Sequence, residues 1–487
     1  MNRFGSRIGA DLARAGHWLR DTAWFKTKNW FIKLCHRIRD WFVRLGMRVS
    51  NLWTAILNFF RVSNWNVRAS MCLMGAGQLM YHQVGKGLMY LFIEVVFILF
   101  FSLFGFSWLV GFFTLGTVQA NQWTGQEGDN SVTMLILGIF SWIILIVFVC
   151  MYFANVKDAW RTSQDCIKGK RPSTFKEDLK QFADRKFYKS VLFIPILGTA
   201  IFSVLPIVFM ILIAFTNYGG DILPPVLVDW VGFENFGTLF NNTSSLGSTF
   251  LNILGWNILW GISTTLLNYV LGLGLAILLN KKIVKGKAFW RLFPILAYAI
   301  PGFITLTAFK FMFSAGGPIN SMLQENDIFV DFLGIDSTWT ARLIGLLVNA
   351  WLSVPSVMLL ATGILSNINQ EYYEAASIDG ASKARQFKDI TLPFVVFSTT
   401  PTLITSFINN FNNFGVFYFL RGTITSPGYF VSNDTDLLIN WLYRLSIDND
   451  YYSIGAAVSL LIFVLTSAIS LIIYVKSPAY RKEDTFR

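Results

Sequence analysis

Eight stretches of this chain are long and apolar enough to cross a bilayer, which takes about 20 residues of helix. They lie near 88–110, 132–154, 190–215, 252–279, 288–313, 341–365, 394–418 and 453–475. Backbone amides in hydrocarbon have no water to bond, so such runs fold as helices packed side by side. The expected fold class is all-α: a polytopic membrane protein with about eight transmembrane helices and an N-terminal basic amphipathic region. Only 14% of the 487 residues are charged, against about 25% in soluble domains. The 47 Phe, 17 Trp and 16 Tyr exclude a disordered chain. Three segments are expected: 1–85 as the basic interfacial region, 86–189 as two spans with a basic loop, and 190–487 as a six-span core.

Lys and Arg set the orientation. Residues 1–70 hold 13 of them against 3 acids, a net +10 of the chain's +12. Loop 155–189 holds 10 more; Lys281, Lys282, Lys285 and Lys287 follow the fourth span, and Lys476, Arg481, Lys482 and Arg487 follow the eighth. The intervening loops 111–131, 216–250 and 314–340 hold none. Both termini are therefore expected on the cytoplasmic side of the plasma membrane. The positive charge is a topology signal, and nucleic acid is not an expected partner. The first 50 residues are basic and interrupted, with no apolar core for a cleavable signal peptide.

From Trp30 the set Leu34, Ile38, Trp41, Leu45, Val49, Leu52 and Ile56 recurs at helical spacing between basic residues. That pattern suits a helix lying in the headgroups of anionic membrane lipid; packing on the cytoplasmic ends of the bundle is the alternative. Residues 71–87 are broken by Gly and too short to cross, which suggests a turn or interfacial hairpin. Glu94, two turns into the first span, is the costly charge. It has no evident partner for a proton relay, so snorkelling or a hydrogen bond inside the bundle is expected.

Catalytic signatures are missing. His17, His36 and His82 have no metal spacing, and no Gly-Lys pair sits in a phosphate-binding GxxxxGK[ST] loop. Cys35, Cys72, Cys150 and Cys166 form no framework and are expected as free thiols. The cytoplasmic loop 367–393 is different. Glu371–Ser377 suits a short helix, and Asp379-Gly380 is a turn in which Gly takes positive φ. Ala381–Ile390 reads as a second helix ending before Pro393, with Leu392 outside the α region. Small Ala375 and Ala376 would let a partner approach closely, while Glu374 and Asp379 offer it charge.

Glu374-Ala375-Ala376, Gly380, Ile390 and Leu392-Pro393 fit, position for position, the loop signature of permease subunits in binding-protein-dependent ABC importers. From about residue 190 onward the chain resembles the larger permease subunit of maltose/maltodextrin importers. The resemblance is carried by Tyr298-Ala299-Ile300-Pro301, by Asn410-Phe411-Asn412-Asn413-Phe414, and by Asp436-Leu437-Leu438 with Tyr443-Arg444. It implies a heterodimer with a second permease, two ATPase subunits that use ATP and Mg, and an extracellular solute-binding protein. No cofactor would bind this chain itself. The loop around Glu374 and Gly380 would seat in an ATPase cleft, and oligosaccharide would be the cargo.

The resemblance places sugar contacts at Tyr298, Asn410 and Asn413. The two asparagines, three residues apart, share one helical face, and amides can both donate to and accept from sugar hydroxyls. Interhelical hydrogen bonding is the alternative role for these groups. At further family contact positions stand Gly302, Ser353, Ser356 and Asn409. The maltose subunit has a hydroxyl, a glycine and two aromatics there, so a roomier or more polar pocket and other oligosaccharides stay open. The external loop 216–250 is too short for a folded domain, which suggests a lipid-tethered binding protein and a Gram-positive origin. An ion-driven secondary transporter would be expected to show inverted repeats, broken helices or buried charge pairs, and none is legible. A membrane enzyme would need a catalytic constellation, also not visible.

Overall fold

The structure, a computed structural model, describes Thr54 and residues 58–476 except 122, 124, 173, 175, 176, 178, 179, 181–183, 185, 186 and 282. Apart from Thr54, the amphipathic helix expected from Trp30 to Ile56 lies outside the described residues, as do His17, His36, Cys35 and the cations beyond 476.

Every regular element among the described residues is helical. Short helices α1 (Trp65–Cys72) and α2 (Ala76–Met80) lead into the first span, α3 (Val84–Thr114). Spans α4 (Ser131–Ile167), α5 (Val191–Ile213) and α6 (Ser245–Asn280) follow. The next apolar run is two helices, α7 (Lys287–Ala299) and α8 (Gly302–Phe313), and the limb Gly302–Gln324 that α8 opens is bent by 91° from α7. Then come α9 (Thr338–Ser366), the short α10 (Gln370–Ile378), α11 (Leu392–Phe411), α12 (Gly415–Arg421), α13 (Leu438–Tyr443) and the last span, α14 (Tyr452–Lys476). Among the described residues seven helices can cross a membrane unaided, and the bent pair makes an eighth crossing if it counts as one.

That bend is a broken helix where none was legible. Ile300 precedes Pro301, whose ring pushes the preceding residue out of the α region; Ile300 accordingly sits at φ −76°, ψ 130°. Gly302 then restarts the helix behind Pro301.

The chain divides into two compact units, Met1–Phe106 with Trp142–Pro195, and Ser107–Ser141 with Ile196–Arg487. The first is organised around the turn between α1 and α2. Gly75 takes φ +85°, and a Cβ there would stand 2.1 Å from the Gly87 carbonyl oxygen. The turn's amides are met by side chains from the spans. Met74 N–H donates to Glu94 Oε2 at 2.8 Å and Gly75 N–H to Asn155 Oδ1 at 3.1 Å. Asn155 Nδ2 donates to the Ser70 carbonyl and the Tyr152 hydroxyl to the Met71 carbonyl. Glu94 is thus a buried cap for a non-helical turn, which offsets the cost of its charge at depth.

In the second unit α6 and α9 pack along their length with α11 against them. The contact depends on small residues, as expected in lipid, where burial gives little drive and close backbone approach gives more. A Cβ on Gly272 of α6 would meet Val357 of α9 at 2.6 Å, and where α9 meets α12 one on Gly345 would meet Phe417 at 2.8 Å. One apolar cluster joins Trp256, Trp260, Ile344, Val348, Phe417 and Leu420; a second, toward the basic loops, joins Leu273, Ala276, Met358, Ala361 and Val395.

Pro393 does not end a helix. Leu392 is helical at φ −62°, ψ −48°, and Lys383–Arg421 continues across it as one span. The expected helix Ala381–Ile390 is instead one α turn, Lys383–Gln386, followed by the π turn Phe387–Thr391. A proline ring clashes with the carbonyl four residues back, and the wider i→i+5 turn relieves that clash. The same device recurs in α5, where the π turn Ala200–Val204 precedes Leu205-Pro206. Cys72, Cys150 and Cys166 are free thiols.

Candidate functional site

Two regions of the second unit carry the residues singled out in the sequence. On the basic side, α10 is stopped at both ends by its own sequence. Asn369 Oδ1 accepts from Glu371 N–H at 3.1 Å, an N-cap. At the other end Gly380 takes φ +77°. Gly380 N–H donates to Ser377 O at 3.1 Å and Ala381 N–H to Ala376 O at 2.9 Å, the paired bonds of a Schellman motif.

One face of α10 is tied down. The Tyr373 and Thr391 hydroxyls lie 2.8 Å apart. Gln386, buried, donates through Nε2 to Ser377 Oγ at 2.8 Å and to Ala381 O at 3.1 Å. Ile390 and Leu392 pack with Tyr373 against the cluster at the ends of α6 and α9. The other face is open: Glu374, Ala375, Asp379 and Gly380 are exposed and Ala376 is half-buried. Tyr372 and Ile378, at 62% and 87% exposure, extend that face with apolar surface that sequence reasoning did not single out. The loop signature thus divides into an inward half, Ile390 and Leu392, and an outward half, Glu374 through Gly380; Pro393 is exposed at the start of the span.

The second region is a polar cavity at membrane depth, about 150 Å³ in volume. Thr265, Asn268 and Tyr269 of α6 line it, with Ser353 and Ser356 of α9 and Thr399, Thr402, Ser406, Asn409 and Asn410 of α11. Its volume holds a few water molecules. Of the expected sugar contacts, Ser353, Ser356, Asn409 and Asn410 meet here. Asn410 Nδ2 donates to Thr265 Oγ1 at 3.0 Å. Asn413 lies beyond the cavity: its Nδ2 donates to Asn349 Oδ1 at 3.0 Å and its Oδ1 accepts from Val416 N–H at 3.2 Å. Buried Asn349 links the two, since its Nδ2 stands 3.5 Å from Asn410 Oδ1. Tyr298, 57% exposed, and Gly302, with open space around it, flank the α7–α8 bend and do not line the cavity. The missed members of α11 carried a signal: Thr399, Thr402 and Ser406 recur at three or four residues with the expected Asn409, on one helical face.

On the acidic side, buried charge stitches the segment between α12 and α14. Arg421, fully buried, donates to Asp434 Oδ1 at 2.7 Å and to the Gly334 carbonyl at 2.6 Å. Arg444 Nε lies 3.0 Å from Asp436 Oδ2, which also accepts from Ser432 Oγ and Asn433 N–H. Burial pushes Asp436 up to about 6, against the downward pull of Arg444. Leu438 N–H meanwhile donates to Asn257 Oδ1 of α6. Asp436-Leu437-Leu438 and Arg444 are therefore an interlock.

Comparison with known proteins agrees with this architecture. The family model for binding-protein-dependent transport system inner membrane components matches residues 268–482, from the middle of α6 through the polar cavity and α10. The maltodextrin transport system permease protein MdxF of Bacillus subtilis is 35% identical over 422 residues, covering 84% of this chain and 95% of that one. The galactooligosaccharides transport system permease protein GanP of the same organism is 34% identical, covering 84% and 96%. Among solved structures, a chain of a bacterial ABC transporter involved in import of the acidic polysaccharide alginate superposes with a TM-score of 0.51 at 22% identity, covering 61% of this chain and 96% of that one. With identity of that order running through nearly the whole length of such permeases, this multi-pass membrane chain belongs to the family of binding-protein-dependent transport system inner membrane components.

Proposed function

We propose that this chain is the permease subunit of an ABC importer that carries maltodextrin-type oligosaccharides across the plasma membrane. It works as a heterodimer with a second permease above two ATPase subunits, which use ATP and Mg. The observation that carries the coupling role is α10, a capped helix with one face anchored by Gln386 and Tyr373 and the other open from Tyr372 to Gly380. ATP can shift a bundle between states only through contacts that differ between them, and this face is available for such contacts. The basic loops 155–189 and 281–287 support a cytoplasmic position for α10 and for both termini.

The cargo reading rests on MdxF-like identity together with the polar face of α11. The cavity within this chain is smaller than an oligosaccharide needs, so the sugar path is completed by the sister permease. Tyr298 and Gly302, on exposed surface at the α7–α8 bend, would join it from this side. The short external loop 216–250 supports a lipid-tethered binding protein and a Gram-positive source. GanP-like identity favours one second reading, galacto-oligosaccharide import.

The test is reconstitution of the four-subunit complex in proteoliposomes with its binding protein, measuring ATP-driven uptake of labelled maltotriose against a β-galactotriose. Maltotriose uptake that falls by about tenfold or more in Asn410→Ala, with assembly intact, is expected. Uptake of the galactotriose alone would transfer the assignment to the second reading. Uptake without ATPase subunits would end both.

A further inference from the structure

The acidic side of the second unit presents one aromatic side chain with almost no protein around it. Trp123 is 99% exposed, at the tip of a hairpin between α3 and α4. The hairpin is braced. Asn121 and Gln126 exchange both backbone hydrogen bonds, at 3.1 and 3.2 Å, and Trp123 N–H donates to Asn121 Oδ1 at 2.9 Å. Below them Asp129 Oδ2 accepts from Thr117 N–H at 2.8 Å and Val118 N–H at 2.9 Å. The two sides approach so closely that a Cβ on Gly128 would sit 2.4 Å from the Ala120 nitrogen. The base is joined to the loop after α5: Val228 N–H donates to Ser131 Oγ at 3.0 Å, and Trp230 Nε1 donates to the Phe113 carbonyl at 3.0 Å.

We propose that this hairpin is a docking arm for the extracellular solute-binding protein, which meets Trp123 with an apolar notch ringed by lysine and arginine. The inference rests on the importer reading above. A tryptophan whose N–H is already tied to Asn121 Oδ1 costs less further ordering on binding, and buried Trp is among the commonest interface hot spots. Charge identifies the partner's side of the contact. Segments 111–131 and 216–250 contain Glu127, Asp129, Asp221, Asp229 and Glu234 and no Lys or Arg; Glu127, Asp221 and Asp229 are exposed. Carboxylates in that place attract a basic protein face, raising the rate of encounter.

The test uses the full transporter in nanodiscs, with ATPase rate measured against the concentration of its maltotriose-loaded binding protein. Trp123→Ala should raise the concentration giving half-maximal stimulation by about tenfold or more, with the unstimulated rate unchanged. Glu127→Lys with Asp221→Lys should raise it as well and flatten its dependence on salt. An unchanged half-maximal concentration in Trp123→Ala overturns the docking arm while leaving the importer reading intact. Loss of transporter from the membrane, with unchanged affinity in what remains, overturns it in favour of a lipid anchor. A wild-type complex indifferent to any binding protein ends both readings.

Discussion

Gly380 sits at φ +77° with nothing within 4 Å of where a Cβ would go, so a side chain there is opposed by backbone strain alone. For an L-residue that strain is about 1–2 kcal/mol, and more for a β-branched one. Gly380→Val should therefore unwind the Schellman turn and lower sugar-stimulated ATP hydrolysis by about tenfold, whereas Gly380→Asn, which tolerates this region, should retain most of it. ATPase assays on the reconstituted complex separate the two, and equal activities would show that the turn is not needed for coupling. A turn of this kind is legible because Asp-Gly is a local signal. The partner of Glu94 was not: Met74 is twenty residues away, and the acceptor serves a backbone amide, which no side-chain pattern reveals.

Asp436 has an electrostatic consequence at the same scale. Its folded-state value near 6 lies above the ordinary 3.8, so the folded chain holds this proton more tightly than the unfolded chain does. Such a raised group costs stability at neutral pH, here about 3 kcal/mol. The cost is withdrawn as pH falls from above 6 toward 4. Asp436→Asn keeps an acceptor for Arg444 and removes the titration. The melting temperature of the purified complex, compared at pH 7 and pH 5, should rise more on acidification in wild type than in the variant. Equal shifts would mean that Asp436 titrates normally. Carboxylates elsewhere contribute equally to both proteins and cancel.

At the scale of elements, what the pattern of apolar residues could not carry was how prolines are absorbed. Pro301 breaks its helix, while Pro206 and Pro393 are passed through behind π turns. Local sequence reads Xaa-Pro alike in all three and does not separate the two outcomes. Near Pro393 the result is that α10 hangs from the start of a span through few groups, Gln386 chief among them. Gln386→Ala leaves Ser377 Oγ and the Ala381 carbonyl without that donor, a loss of about 1–3 kcal/mol for a buried bond. Hydrogen exchange across 370–381 should quicken by about tenfold or more in the variant and stay unchanged in α14. Uniform exchange in both proteins would place the anchor of α10 elsewhere, on Tyr373 and Thr391.

For the whole molecule, the number and places of the spans were readable because membrane length and hydrophobicity are properties of contiguous residues. The polar cavity was only half readable: Asn409 and Asn410 stand in a conspicuous cluster, but Asn349 and Thr265 acquire meaning only from the packing of α9 and α6 on α11. The side on which each loop lies follows from charge, and every functional assignment depends on it. With the native cysteines replaced, Ser377→Cys and Asn241→Cys place single thiols on exposed positions of α10 and of the loop before α6. Asn241→Cys should react with an impermeant maleimide in intact cells; Ser377→Cys should react only after the membrane is opened. The two must differ, because α6, the α7–α8 pair and α9 lie between them, and an odd number of crossings puts their ends on opposite sides. Labelling of both from outside would mean that the bent pair does not complete a crossing. It would then be re-entrant, with the end of α8 returned to the side on which α7 starts and α10 displaced from any ATPase.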